Sequence, residues 1–430
     1  MLLFLVLLVT INISSCVVIR NPVIWRKPNT IEMLENGTYA DFVKKLDAEH
    51  ASRLTGTGAI VYDMSDFQYS QKITIGEPQQ EFLVWISTGV SMFWIPHNNC
   101  TAPACKTKNK FVPEKSSTFK PMSTEFKIRC YGGVVAGVYA NDRIHIGGKD
   151  EQHLTVPNAM FGLARDLTDA FEKADFDGMI GLAFSTTDGA KSKPFILSLI
   201  DQGHLDKPIF TVWFAQQNIQ SGKAGGMITY GGFDSENCGD VIGYESLSSP
   251  YYYQYKINSV SMGGFSYEKR VDDVGAHYNQ EGLYDIDCGT EVPSLHIIAD
   301  KIKFEIKSEN LVVKLDNGKC LLGFLPMGSS TYGPSWHMGA VFTRQYCTIF
   351  DIGDGRIGFA DFIRKVIEIS TRAHTTPTPK PTARSTVETT SATKCPSIQT
   401  TTPNCHSMCL CNLFLSLLLF VGFFDVVRLY

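Results

Sequence analysis

The sequence carries no surplus of basic charge. Its 39 lysines and arginines face 43 aspartates and glutamates, a net charge of −4 over 430 residues. The Lys-rich spot from Lys106 to Lys110 is short and reads as solvated loop. A nucleic-acid partner needs a basic stripe, so this sequence gives no reason to expect one. The histidines and cysteines lack metal-ligand spacing, so neither a metal nor another cofactor is expected. Helical periodicity is scarce, and "PFILSLIDQGHL" is its best stretch. A long apolar run is missing too: the terminal "NLFLSLLLFVGFFDVVRLY" falls short of the ~20 residues that a spanning helix needs.

What is present points to export and to β-structure. Residues 1–16 pair an apolar run with small residues before Cys16, as a secretory signal does, although a basic start is missing. Asn36 and Asn99 head glycosylation sequons. Twelve cysteines suit an oxidising compartment. Cys100 and Cys105 flank "TAPA" and are expected to close a small disulfide loop. Cys130, Cys238, Cys288, Cys320 and Cys347 are odd in number, so at least one of them is unpaired or pairs elsewhere.

From about Val17 to Thr55 the chain is polar and helix-like. From Phe67 the period changes. "QKITIGEPQQEFLVWI", "FKIRCYGGVVAGVYANDRIHIGG", "GMITYGGFD" and "YCTIFDIGDGRIGFADF" are short runs of β-formers separated by turn residues, an all-β pattern over roughly three hundred residues. Residues 370–408 are rich in Thr, Ser and Pro and read as an extended stalk. The tail at 409–430 is open to three readings: a lipid-anchor signal, a short membrane span, or a dispensable end. There is also a weak internal repeat. Ser87-Thr88-Gly89 and Asp287-Cys288-Gly289-Thr290 each follow an apolar strand, and Met179-Ile180-Gly181 and Met338-Gly339 come later in each half. Two similar lobes, each giving one loop to a shared cleft, would explain it.

These motifs resemble the pepsin-like family of aspartic endopeptidases. "VWISTGVSMFWIP" is similar to that family's first active-site loop, with Trp94 and Pro96 in register. "YDIDCGTEVPS" looks like the second loop, and "HMGAVFTRQYCTIFDIGDGRIGFAD" looks like the terminal block. "GGFDSENCGDVIGYESL" is similar to secreted members from nematodes. The resemblance runs from about Asp66 to Phe362. It implies two β-barrel-like lobes, 66–212 and 213–364, around a peptide cleft. Between Glu291 and Cys320 the chain is shorter than the family's spacing, so the second lobe is expected to be shortened. Residues 17–65 then look like a propeptide, with Lys44 or Lys45 as the cation laid across the catalytic carboxylates. Tyr131 matches the flap tyrosine. Thr88, Gly89, Gly289 and Thr290 match loop positions that face bound peptide.

The family's chemistry needs two carboxylates in contact that share one proton, because like charges so close cannot both ionise. The ionised one takes a proton from water, and the other protonates the scissile carbonyl. By the resemblance Asp287 is one member, and Ser87 replaces the other. A hydroxyl has no acidity near the working pH, and losing one member of such a pair costs on the order of 10³-fold or more. Val90 stands where the family keeps Ser, Cys288 where it keeps Thr, and Ala340 where an acidic residue is usual. A second route, Cys288 as a new nucleophile, would need His296 or His337 within reach. The leading expectation is a catalytically impaired, exported protein that binds peptide or protein in its cleft, at the cell exterior or in an endolysosomal lumen. Its rivals are an active aspartic endopeptidase with an atypical site and a surface adhesion module.

Overall fold

A computed structural model describes residues 17–27, 29–39, 41, 68–130, 133–151, 154–184, 193–215, 224–263, 277–278, 283–315, 317–327, 336–363 and 426–429. Strands dominate it, in the all-β, bilobal architecture expected. In chain order they are β1 Ile19–Arg26, β2 Gln68–Ile75, β3 Gln80–Ser87, β4 Trp94–Pro96, β5 Lys120–Cys130, β6 Gly133–Ile146, β7 Leu154–Leu167 and β8 Gly178–Gly181. There follow β9 Ile209–Phe214, β10 Ala224–Tyr230, β11 Cys238–Ser246, β12 Ile257–Met262, β13 His277–Tyr278, β14 Tyr284–Ile286, β15 Leu295–Ala299 and β16 Lys303–Ile306. The last are β17 Val312–Lys314, β18 Cys320–Leu322, β19 Phe324–Met327, β20 Cys347–Asp351, β21 Arg356–Phe362 and β22 Val426–Leu429.

One thirteen-stranded sheet runs β11-β21-β20-β9-β10-β1-β2-β3-β8-β4-β7-β6-β5. Smaller sheets are β12-β15-β16 and β13-β14-β18-β17, and β19 pairs with β22. Most pairings are antiparallel, as short hairpin connections require. The parallel exceptions, β3 with β8 and β4 with β7, lie around the first candidate loop.

The expectation of helix-like structure from Val17 needs correction. Ile19–Arg26 is a strand, and its first residues follow period two: Ile19, Asn21 and Val23 are buried while Arg20, Pro22 and Ile24 are only partly so. A short helix, α1 Asn29–Glu35, follows it. Lys44 and Lys45 lie outside the described residues. The "PFILSLIDQGHL" expectation holds as α2 Phe195–Asp201, which starts after Pro194 and buries Phe195, Ile196 and Leu199.

Aromatic packing holds the centre. The rings of Phe210 and Phe350 stack at 4.5 Å, and Tyr253 meets Phe350 edge-on at 4.6 Å. Tyr69 stacks on Phe214, and burial pushes its hydroxyl pKa up to about 12 against the opposing influence of buried Arg344. A separate cluster gathers Trp85, Met92, Trp94, Phe171 and Phe176 over the Cys100–Cys105 disulfide, which forms as expected. Cys238 is bonded to Cys347, and Cys288 to Cys320. Cys130 is buried and takes part in none of these three bonds.

Among the described residues no helix is long and apolar enough to cross a membrane. The end of the tail, Val426–Leu429, is a strand paired with β19, while residues 409–425 lie outside the described residues. Nothing described supports a membrane tether through the tail.

Candidate active site

Ser87 ends β3 and is only 6% exposed. One strand pairing and three hydrogen bonds hold the loop after it. β8 runs parallel to β3, with Ser87 opposite Gly181. The Leu182 N–H donates to the Ser87 carbonyl at 2.8 Å, and the Gly181 N–H donates to the Met92 carbonyl at 3.0 Å. The Ala183 N–H donates to the Val90 carbonyl, also at 3.0 Å. The approach is so close that a Cβ on Gly181 would lie 2.5 Å from the Val90 oxygen, so only glycine fits there. The Ser87 hydroxyl accepts the Gly89 N–H at 3.3 Å, which closes a turn. Thr88 is half-buried and Gly89 exposed. Val90 packs against the cluster that contains Trp94.

Asp287 sits in different surroundings. It follows β14, which has antiparallel partners on both sides, β13 and β18. No described strand runs parallel to β14 as β8 does to β3. Asp287, Cys288 and Gly289 are exposed, and Thr290 is half-buried. The Thr290 N–H donates to the Asp287 carbonyl at 2.9 Å, forming a tight turn. The two loops expected to mirror one another are therefore built differently. No hydrogen bond joins the side chains of Ser87 and Asp287 among the described residues. Met338-Gly339, the expected counterpart of Met179-Ile180-Gly181, leads instead into a short helix, α3 Ala340–Gln345, whose Phe342 and Thr343 N–H groups donate to the Gly339 carbonyl.

The nucleophile reading for Cys288 is overturned, because its sulfur is bonded to Cys320. A disulfide sulfur is no thiolate.

β5 and β6 form a long hairpin that pairs Cys130 with Gly133 at its tip. Tyr131 lies outside the described residues. The exposed Asn36 and Asn99 are both available to solvent. No group of three or more His, Cys, Asp or Glu side chains suited to a metal occurs among the described residues.

The sequence reading passed over Leu182 and Tyr253. The Tyr253 hydroxyl donates to the Leu182 carbonyl at 2.9 Å, behind the Ser87 loop. Nothing in the run "YYYQ" singles out one of its three tyrosines.

Comparison with known proteins decides the family. The family described as "Eukaryotic aspartyl protease" matches residues 68–274 and 266–362. This chain belongs to it. Aspartic protease 6 of Caenorhabditis elegans is 34% identical over 386 residues, covering 84% of this chain and 99% of the relative. Aspartic protease 1 of the same organism is 33% identical over 396 residues, covering 84% and 98%. Pepsin A of Sus scrofa is 28% identical over 391 residues, covering 83% and 99%.

Proposed function

We propose that this member of the aspartyl protease family binds peptide in its cleft and does not hydrolyse it efficiently. The reading rests on one observation, the buried serine at the end of β3. Ser87 Oγ has a single described partner, the Gly89 N–H, which it accepts. No described base stands beside it to take its proton, so it acts neither as an acid nor as a nucleophile. Asp287 offers no compensation among the described residues: it is exposed on a disulfide-closed turn, and no described hydrogen bond joins it to a second carboxylate.

The rest of the reading is carried over from the resemblance. Tyr131 is the flap tyrosine over bound peptide, and Thr88, Gly89, Gly289 and Thr290 face that peptide. Residues 1–16 direct export, and Asn36 and Asn99 carry glycans.

The test uses the full secreted chain and a mixed peptide library at pH 3 to 6. The expected result is peptide-dependent thermal stabilisation without cleavage. Cleavage at a rate within tenfold of pepsin, abolished by Asp287→Ala, would overturn the reading. So would the absence of both cleavage and peptide-dependent stabilisation.

A further inference from the structure

We propose that His97 works as an acid switch: neutral, it caps the turn that leads into the Cys100–Cys105 disulfide loop, and protonated, it releases that turn. The inference does not depend on whether the cleft hydrolyses peptide. His97 directly follows β4 and is 7% exposed. Its Nδ1 accepts the Asn99 N–H at 2.9 Å. An accepting ring nitrogen carries a lone pair, so the ring proton sits on Nε2 and the imidazole is neutral in this arrangement. Short oxygen-bearing side chains such as Asn and Ser ordinarily cap the N–H two residues on in this way. They hold such a turn at every pH. An imidazole holds it only until it takes up a second proton. Nδ1 then becomes a donor that faces the Asn99 donor, and the hydrogen bond is lost.

The surroundings set the direction of the switch. Among the described residues, the charged side chains that act on the ring are Arg165 of β7 and Glu114 of the short turn Pro113–Lys115. Burial, the larger influence, and Arg165 hold the imidazole pKa below its ordinary 6.5, and Glu114 opposes them. Lys110, another cation of the segment, donates instead to the Cys100 carbonyl at 2.8 Å. As pH falls below 6.5 the unfolded chain takes up the proton before the folded one does. The cap's contribution to stability is therefore fully present above that pH and is lost as pH falls toward the folded value. The neighbouring bonds are between backbone groups, which do not titrate here. The His97 N–H donates to the Ala164 carbonyl at 2.8 Å, the Asn98 N–H to Phe111 at 2.9 Å, and the Phe111 N–H to Pro96 at 2.8 Å. The disulfide closes the loop behind the turn. Protonation thus loosens the segment at exposed Asn99, which heads a glycosylation sequon, and leaves sheet and disulfide in place. A chain that moves from a neutral exterior to an acidic lumen crosses this range.

The test is hydrogen exchange of the full chain at single-amide resolution, corrected for the intrinsic effect of pH on exchange. Between pH 7 and pH 5 the Asn99 amide is expected to lose about tenfold in protection, the scale of one hydrogen bond, while the Phe111 amide keeps its own. His97→Asn supplies an acceptor that does not titrate, and its Asn99 amide is expected to stay protected at both pH values. His97→Ala is expected to leave that amide weakly protected at both. Equal Asn99 protection in the native chain at pH 7 and pH 5 would overturn the proposal. So would an acid loss in His97→Asn as large as in the native chain. Should the variants fail to fold, the native titration alone decides: a loss with its midpoint below pH 6.5 supports the switch, and no loss, or a midpoint above 6.5, refutes it.

Discussion

Tyr253 reaches Ser87 through Leu182. The tyrosine hydroxyl donates to the Leu182 carbonyl at 2.9 Å, and the Leu182 N–H donates to the Ser87 carbonyl at 2.8 Å. A residue of the segment before β12 thus braces the strand end that grips the candidate loop. Burial pushes the Tyr253 hydroxyl pKa far above its ordinary value, so it remains a donor at every working pH.

Tyr253→Phe is therefore expected to cost about 1 kcal/mol, the net worth of one buried hydrogen bond, because the ring keeps its contacts with Phe184, Phe210 and Phe350. Tyr253→Ala removes the ring as well and is expected to cost about 3–5 kcal/mol. Urea denaturation of the two variants beside the native chain checks both values. Equal losses would show that the ring packing contributes nothing.

The bond between Cys288 and Cys320 closes a loop of sequence separation 32. Chain entropy assigns such a closure on the order of 3–4 kcal/mol. The Cys288→Ser, Cys320→Ser double variant is expected to lose that much in a reversible urea titration. Asp287→Ala, one residue away but exposed, is expected to stay within about 0.5 kcal/mol of the native chain. A large loss from Asp287→Ala would mean that the carboxylate has a buried partner after all.

Much of the fold could be read from sequence, for a local reason. β2 with β3, β5 with β6 and β20 with β21 are hairpins, so period-two runs and the turn residues between them are enough to find them. Cys100 and Cys105 are close along the chain and needed no fold to be paired. β1 escaped because its partner β10 lies about two hundred residues away and its polar Arg20 and Asn21 blur the alternation. Cys288 and Cys320 escaped because a thiol's partner is set by the sheet β13-β14-β18-β17, which short strands of two or three residues hardly announce. The weak repeat between the Ser87 and Asp287 segments does not extend to their sheet partners: of the two described strands that lead into them, β3 has a parallel neighbour and β14 has antiparallel ones.

Lys108, expected from the sequence to lie in a solvated loop, is instead an internal cation. It is 7% exposed, and its Nζ donates to the carbonyls of Ala174 at 3.0 Å and Phe176 at 2.8 Å. Burial pushes its pKa down to about 8, although Asp177 and Asp175 act the other way. Below pH 8 the folded and unfolded chains both hold the proton, and the full cost of burying the charge is present. Between pH 8 and about 10.5 the unfolded chain binds more protons than the folded one, so the group's contribution rises with pH. The stability of the native chain minus that of Lys108→Met is expected to grow by about 3 kcal/mol across that window. Urea midpoints of both proteins at pH 7.5 and 10.5 measure it. A constant difference would place the ammonium in water.

Ser87→Asp tests the site itself. The new carboxylate would stand at a position 6% exposed, with the Gly89 N–H as its one described donor. Desolvation raises a carboxylate's pKa above the unfolded value of about 4, so the folded variant holds its proton to higher pH than the unfolded chain does. The folded state then binds more protons through that window, and stability relative to the native chain falls as pH rises, by about 1.4 kcal/mol per pH unit up to the folded pKa. Activity is expected to stay absent between pH 3 and 6, because hydrolysis needs a second carboxylate in contact with the first, and Asp287 sits exposed on a turn that belongs to another sheet. Peptide digestion at pH 4, together with urea midpoints at pH 4 and 7, reads both effects on one preparation. If Ser87→Asp digests peptide and Asp287→Ala in the same background abolishes it, the two loops meet across the cleft.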